Sequence, residues 1–100
     1  MTVVIETREV DRDSAQAFAD ELELAYTAYC ELADSGSPLV LDLTGVVFMD
    51  GGGVQALIEL ERRVLERGGR LELQSAGSPP RVLQITGVWD RFHPRTDTPA

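Results

Sequence analysis

The feature that most constrains the fold of this chain of 100 residues is the stretch over residues 39–53. Its first part, Leu39–Leu43, is apolar except for Asp42, and such a run is typical of a strand buried on both faces of a parallel sheet. The stretch ends in Asp50 and three glycines, and Val54 then begins a helical pattern. A strand that leads into a helix through an acidic, glycine-rich loop directs several backbone N–H groups towards one point on the surface. We therefore expect a candidate site at this junction.

Patterns on both sides of the junction predict alternating strands and helices. Strands or extended pieces are expected over Thr2–Thr7, Leu39–Leu43, Leu71–Gln74 and Val88–Phe92. Helices are expected after the capping residues Asp11, Asp13 and Ser14, from about Val54 to Arg67 before Gly68 and Gly69, and from Ser78. This order predicts an α/β fold, a mainly parallel sheet of about four strands with right-handed βαβ crossovers and about three helices.

Apolar residues at helical spacing predict which face of each helix is buried. In the first helix these residues are Phe18, Leu22, Ala25, Tyr29 and Leu32. In the second they are Val54, Leu57, Ile58, Val64 and Leu65. Glu61 falls within that second arc, either at its rim, where the carboxylate reaches water, or in an exposed contact surface. Glu59 and Arg63 are expected to pair on the opposite side of the helix.

Composition narrows the class of protein. A net charge of −8 and a pI of about 4.4 argue against nucleic acid and anionic membrane as partners and fit a basic protein partner. A single cysteine, Cys30, excludes an internal disulfide. The N-terminus does not resemble a signal peptide, and no apolar run is long enough to span a membrane. We expect a cytoplasmic protein with one domain over residues 1–92 and a frayed tail over residues 93–100.

No catalytic constellation emerges from the sequence. The lone histidine and lone cysteine, His93 and Cys30, are far apart, and the glycine triplet is not followed by the Lys and Ser or Thr of a phosphate-binding loop. We interpret the chain as a non-enzyme without a cofactor or metal.

Several motifs in register resemble the STAS domain of bacterial anti-sigma factor antagonists. Residues 42–54 resemble the signature DL(S/T)xVxF(M/I)D(S/T)SG(L/V) of that family. Glu9-Val10-Asp11 resembles its G-E-(L/V)-D motif, with Arg8 in place of the glycine. Residues 68–71 resemble its GGxL motif, and residues 83–88 resemble its L-x-(L/I)-TGL motif. The resemblance spans roughly residues 3–92.

The resemblance implies a partner and a missing switch. Members of the family bind the ATP-binding kinase domain of an anti-sigma factor and so regulate sigma-factor-dependent transcription, and phosphorylation of a loop serine blocks this binding. Gly52 stands at that serine position, so the resemblance implies a protein locked in the unmodified form. The implied partner-binding residues are Asp11, Asp50, Gly51, Gly52, Gly53, Gln55 and Glu59. The alternative is a structural or accessory STAS subunit of a lipid-transport ATPase complex or a signalling scaffold.

Individual residues of the candidate site have simpler interpretations as well. Asp50 is at least a helix N-cap, and the glycine triplet either marks a lost switch or lets a partner or an anion approach closely. Asp11 and Asp50 both follow strands at the same edge of the predicted sheet, where a solvated acidic patch is favoured over a weak Mg²⁺ site.

Two departures from the family pattern concern architecture. The first strand and the last helix of the family are missing from the predicted elements, which places Thr2–Thr7 at the edge of the sheet. Pairing with a second copy, to give a homodimer, is one expected outcome. The alternatives are that residues 1–7 fold back, that the tail covers the edge, or that a short edge is left open.

Overall fold

The computed structural model describes residues 1–34 and 36–75, and it shows two helices and five strands in them. In chain order these are β1 (Thr2–Val4), β2 (Glu9–Val10), α1 (Ala15–Leu32), β3 (Pro38–Asp42), β4 (Phe48–Met49), α2 (Gly51–Glu66) and β5 (Arg70–Gln74). The predicted third helix from Ser78, the extended piece over Val88–Phe92 and the tail over residues 93–100 lie outside the described residues.

The strands form parallel ladders, as the sequence predicts. β3 lies between β1 and β5 in a three-stranded sheet, with Val3 opposite Leu41 and Leu41 opposite Leu73. Leu39, Val40 and Leu41 are all buried, because β3 has a strand on each side and packed side chains on both faces. The α/β fold class with parallel strands is thereby confirmed.

A further parallel ladder, between β2 and β4, follows the ladder between β1 and β3 along the chain. Residues 1–10 run beside residues 38–50, with Ile5 N donating to Asp42 O at 3.0 Å and Asp50 N donating to Val10 O at 2.9 Å. The predicted strand over Thr2–Thr7 ends earlier, at Val4, because the chain leaves the first ladder before it joins β4. Within the described residues the strands therefore form two sheets, one of three strands and one of two.

The buried face of α1 agrees with the predicted stripe except at its end. Four of the five predicted residues are buried, namely Phe18, Leu22, Ala25 and Tyr29. Leu32 is 76% exposed, so its prediction as a core residue is wrong. It is the last residue of α1, and the chain turns towards β3 immediately after it. Helical periodicity cannot show where a helix extends past the layer that it packs against.

The second helix begins three residues before Val54 and is rotated relative to the predicted arc. Val54, Leu57 and Val64 are buried as predicted, whereas Leu65 is 51% exposed. The buried face instead passes through Gly53, Val54, Leu57, Leu60, Glu61 and Val64. Because it is rotated away from Leu65 and towards Leu60, this face places Leu65 in solvent and leaves Glu61 only 9% exposed. Such burial argues against Glu61 as part of an exposed contact surface.

Arg62 and Arg63 of α2 each form salt bridges with glutamate side chains. Arg62 pairs with Glu59 one turn before it and with Glu66 one turn after it. Arg63 reaches across to α1, where it pairs with Glu23 and lies 4.1 Å from the ring centroid of Tyr26. The predicted Glu59–Arg63 pair remains as a weak electrostatic attraction, while the hydrogen bonds of the two side chains go to Arg62 and Glu23 respectively.

Two adjacent glycines end α2 for different reasons. Gly68 has φ +83°, the left-handed conformation expected of a residue that ends a helix. Gly69 is needed for space, since a Cβ there would lie 2.5 Å from Ser37 O and would overlap the Tyr29 hydroxyl, which donates to that same carbonyl. The Gly68-Gly69 pair thus ends the helix and admits the buried tyrosine.

Candidate functional site

Asp50 links β4 to α2 and caps the helix. Its backbone is extended (φ −98°, ψ −176°), and its Oδ1 accepts hydrogen bonds from Gly52 N at 3.0 Å and Gly53 N at 3.2 Å. The cap satisfies two of the N–H groups that every helix leaves without an intrahelical partner. The predicted capping role of Asp50 agrees with this geometry.

The three glycines after Asp50 have different surroundings. Gly53 is buried, and a Cβ there would lie 2.5 Å from Met49 Cγ and 2.9 Å from Val10 Cγ1. Gly51 faces open space, and a Cβ on Gly52 would meet only Asp50 Oδ1, at 3.3 Å. Gly53 is therefore required for close packing of α2 on β2 and β4. Only Gly51 and Gly52 are exposed and accessible to a partner.

The ladder between β2 and β4 brings Asp11 to the same edge as Asp50. Val10 lies opposite Met49, so the residues that follow, Asp11 and Asp50, leave the ladder side by side. Asp11 Oδ1 accepts from the backbone N–H groups of Ser14 and Asp13, both at 3.0 Å. Hydrogen bonds from Ser14, chiefly the backbone one, lower the pKa of the Asp11 carboxyl. Both carboxylates thus hold the turns before their helices.

The alternative to an acidic patch at this edge is a weak Mg²⁺ site. In residues 1–34 and 36–75 there is no group of three or more His, Cys, Asp or Glu side chains placed to hold a metal ion. Each of the two aspartates accepts hydrogen bonds from backbone donors instead.

The remaining predicted residues lie on the outer face of α2. Gly52, Gln55 and Glu59 follow one another at steps of three and four, and all are exposed, so they share one side of the helix. Glu59 lies seven positions beyond Gly52, about 10 Å along the helix axis. The hydrogen bond from Arg62 lowers the pKa of the Glu59 carboxyl. We define these three residues as the α2 outer stripe.

One contact near the site has no signal in the sequence. The Glu21 carboxylate of α1 accepts hydrogen bonds from Glu6 N at 2.7 Å, from Thr7 N at 2.9 Å and from the Thr7 hydroxyl. It thereby fixes the loop between β1 and β2, which leads to Asp11. In the sequence Glu21 is one of many acidic residues on the polar side of an amphipathic helix, so its role depends on the fold.

Parallel strand pairing, an acid-capped helix directly after the short strand β4, and a helix-ending glycine pair are compatible with a STAS-type fold. A family model described as "Mlab, STAS domain" matches residues 3–91. The chain belongs to the STAS domain family, whose members generally serve as non-enzymatic modules that engage protein partners. A comparison with curated proteins finds no match.

Neither α1 nor α2, the helices in the described part of the chain, is long and apolar enough to cross a membrane.

Proposed function

We propose that this STAS domain binds the kinase domain of an anti-sigma factor in the cytoplasm and so regulates sigma-factor-dependent transcription, without a serine phosphorylation switch. The observation that carries the proposal is the capped start of α2, where Gly51 and Gly52 are exposed beside Asp50. Asp11 and the α2 outer stripe extend this surface and give it negative charge. A kinase domain with a basic docking face is the complementary partner.

The proposed interface lacks the group that would regulate it. A phosphate on a side chain at position 52 would add a charge of about −2 and considerable bulk where the partner docks. Gly52 has no hydroxyl to accept it. Binding would therefore depend on the amounts of the two proteins and not on phosphorylation of this loop.

The Gly52→Ser variant tests whether a kinase recognises this loop. A Cβ at position 52 would have one close neighbour, Asp50 Oδ1 at 3.3 Å, so a serine requires this carboxylate to shift by a few tenths of an ångström. We expect each anti-sigma kinase domain encoded in the source genome to leave the wild-type protein unmodified, and the cognate one to phosphorylate Gly52→Ser with ATP. Gly51→Ser is the matched control, with a hydroxyl one position away. Phosphate on the wild-type protein at Thr44, Ser75 or Ser78, detected by mass spectrometry, would contradict the locked state.

Charge reversal on α2 tests the docking surface itself. We expect Glu59→Arg to weaken binding to that kinase domain about tenfold or more in calorimetric titrations, since rim charges steer association. Glu66→Arg is the matched control, because it also removes a carboxylate from Arg62 but lies two turns further from Gly52. Equal losses in both variants, or none in Glu59→Arg and in Asp11→Arg, would move the interface elsewhere.

The absence of a hydroxyl at position 52 favours a second candidate function. A structural or accessory subunit, in a lipid-transport ATPase complex or a signalling scaffold, needs no phosphorylated loop. Co-expression of the full chain with a transport ATPase and permease encoded beside it would test this role. Stable co-purification that Gly52→Ser does not affect, together with no binding to any kinase domain, would favour the accessory role.

A further inference from the structure

The outer edge of β1 has hydrogen-bonding groups that no other described strand uses. β1 lies at the end of the three-stranded sheet, with β3 as its neighbour among the described strands. Met1 O accepts from Val40 N at 2.7 Å, and Ile5 N donates to Asp42 O at 3.0 Å, so odd-numbered residues bond to β3. Successive residues of a strand direct their backbone N–H and C=O groups to opposite sides within the plane of the sheet. Those of Thr2 and Val4 therefore point away from β3.

Uncharged side chains flank this edge. Val4 is 58% exposed and Leu24 of α1 is 71% exposed, and they line a groove together with Val3, Ala25 and Ala28. The one charged residue that lines the groove, Glu21, is already hydrogen-bonded to the loop after β1. A basic partner would find no available carboxylate there, so the groove fits a neutral strand.

We infer that β1 pairs with β1 of a second copy, in antiparallel register about a two-fold axis at Val3. In this register Thr2 of each copy lies opposite Val4 of the other, and each pair exchanges two hydrogen bonds. The strand is thus complementary to itself, as a two-fold interface requires. The axis is perpendicular to the sheet, so the two α1 helices lie on the same side and each Leu24 is directed towards the other copy.

The small size of the interface leads us to expect a weak dimer. Three residues of strand and one exposed leucine from each copy bury less than the roughly 1,200 Å² of a stable interface, so the dimer is weak, with a Kd of about 10–100 µM. Kinase binding at the start of α2 does not depend on this edge. The dimer and the proposed function therefore succeed or fail separately.

The test removes only the outward donors. Thr2→Pro with Val4→Pro deletes the two outward N–H groups and leaves the bonds from odd-numbered residues to β3 in place, as proline permits on an edge strand. The matched control, Thr2→Val with Val4→Thr, keeps both N–H groups and the same composition. In sedimentation velocity of the full chain from about 5 to 500 µM, we expect wild type and control to dimerise and the proline variant to remain monomeric.

Hydrogen exchange on the wild-type protein gives a second readout that needs no variant. The Val4 amide should exchange more slowly as protein concentration rises, whereas the Val3 and Ile5 amides should be protected at every concentration. A wild-type protein that stays monomeric throughout the range, or a dimer that the proline variant retains, would overturn the inference. A Val4 amide whose exchange does not depend on concentration would do the same.

Discussion

At the scale of single residues, the glycines show how one residue type serves different physical needs. Gly68 is needed for its positive φ, Gly53 and Gly69 for close approach, and Gly51 for neither. The family resemblance predicts glycine at position 53, but the reason, contact with Met49 and Val10, is visible only in the packed structure.

Substitution within the glycine triplet should separate these needs. We expect Gly53→Ala to destabilise the protein by about 1–3 kcal/mol, because its methyl group would be forced against Met49 and Val10. Gly51→Ala should be neutral or should stabilise by up to about 1 kcal/mol, since alanine favours a helix in open space. Urea unfolding measures both. Similar free energies of unfolding for the two variants would contradict this division.

Asparagine at the end of α2 should distinguish conformation from space. Asn tolerates the left-handed region, so Gly68→Asn should cost less than about 1 kcal/mol. Gly69→Asn should cost about 2 kcal/mol or more, because its Cβ would collide with Ser37 O and the Tyr29 hydroxyl. Thermal unfolding with a near-ultraviolet signal from the tyrosines checks both. A larger loss for Gly68→Asn would reverse the assignment.

At the scale of secondary-structure elements, contacts between neighbours decide where each element ends and which face it buries. The carboxylate of Glu21 accepts hydrogen bonds from the loop that connects β1 to β2, and Arg63 joins α2 to α1. Leu32 and Leu65 have the spacing of buried residues yet remain exposed. Sequence periodicity identifies the helices and most of their buried faces, but not their exact rotation or limits.

Removal of the Glu21 carboxylate should loosen one loop and little else. We expect Glu21→Ala to lower the free energy of unfolding by about 1–2 kcal/mol, because hydrogen bonds to a charged acceptor are lost. The amides of Glu6 and Thr7 should then exchange faster. Asp20→Ala is the control, since Asp20 accepts only from Gln16 on the same helix among the described contacts. Unchanged exchange at both amides would show that Glu21 does not hold the loop.

At the scale of the whole molecule, negative charge is in excess. The net charge of −8 at pH 7 repels within and between copies. Against this background, Asp11, Glu23 and Glu59 have lowered pKa values, chiefly through hydrogen bonds from Ser14, Arg63 and Arg62 respectively. A carboxyl with a lowered pKa in the folded state stabilises that state above its unfolded pKa, and the stabilisation is lost as pH falls through the folded value.

Stability should therefore change in two stages on acidification. Between pH 7 and about 5 the three carboxylates stay ionised, so we expect little loss. Below about pH 4 the folded state binds protons less readily than the unfolded one, and stability should fall. Glu23→Gln should flatten this decline, because it removes the carboxyl paired with Arg63. Urea midpoints from pH 3 to 7 measure the effect, and an identical decline in the variant would contradict it.

The sequence by itself determines the α/β class, the buried strand β3, the helix cap at Asp50 and the helix end at Gly68. These features depend on local composition, periodicity and backbone conformation, which a short segment carries within itself. Only the tertiary structure decides the division of the strands into two sheets, the need for glycine at positions 53 and 69, and the partners of Glu21 and Arg63. These depend on which segments become neighbours, because close packing and long-range hydrogen bonds form between residues distant in the chain.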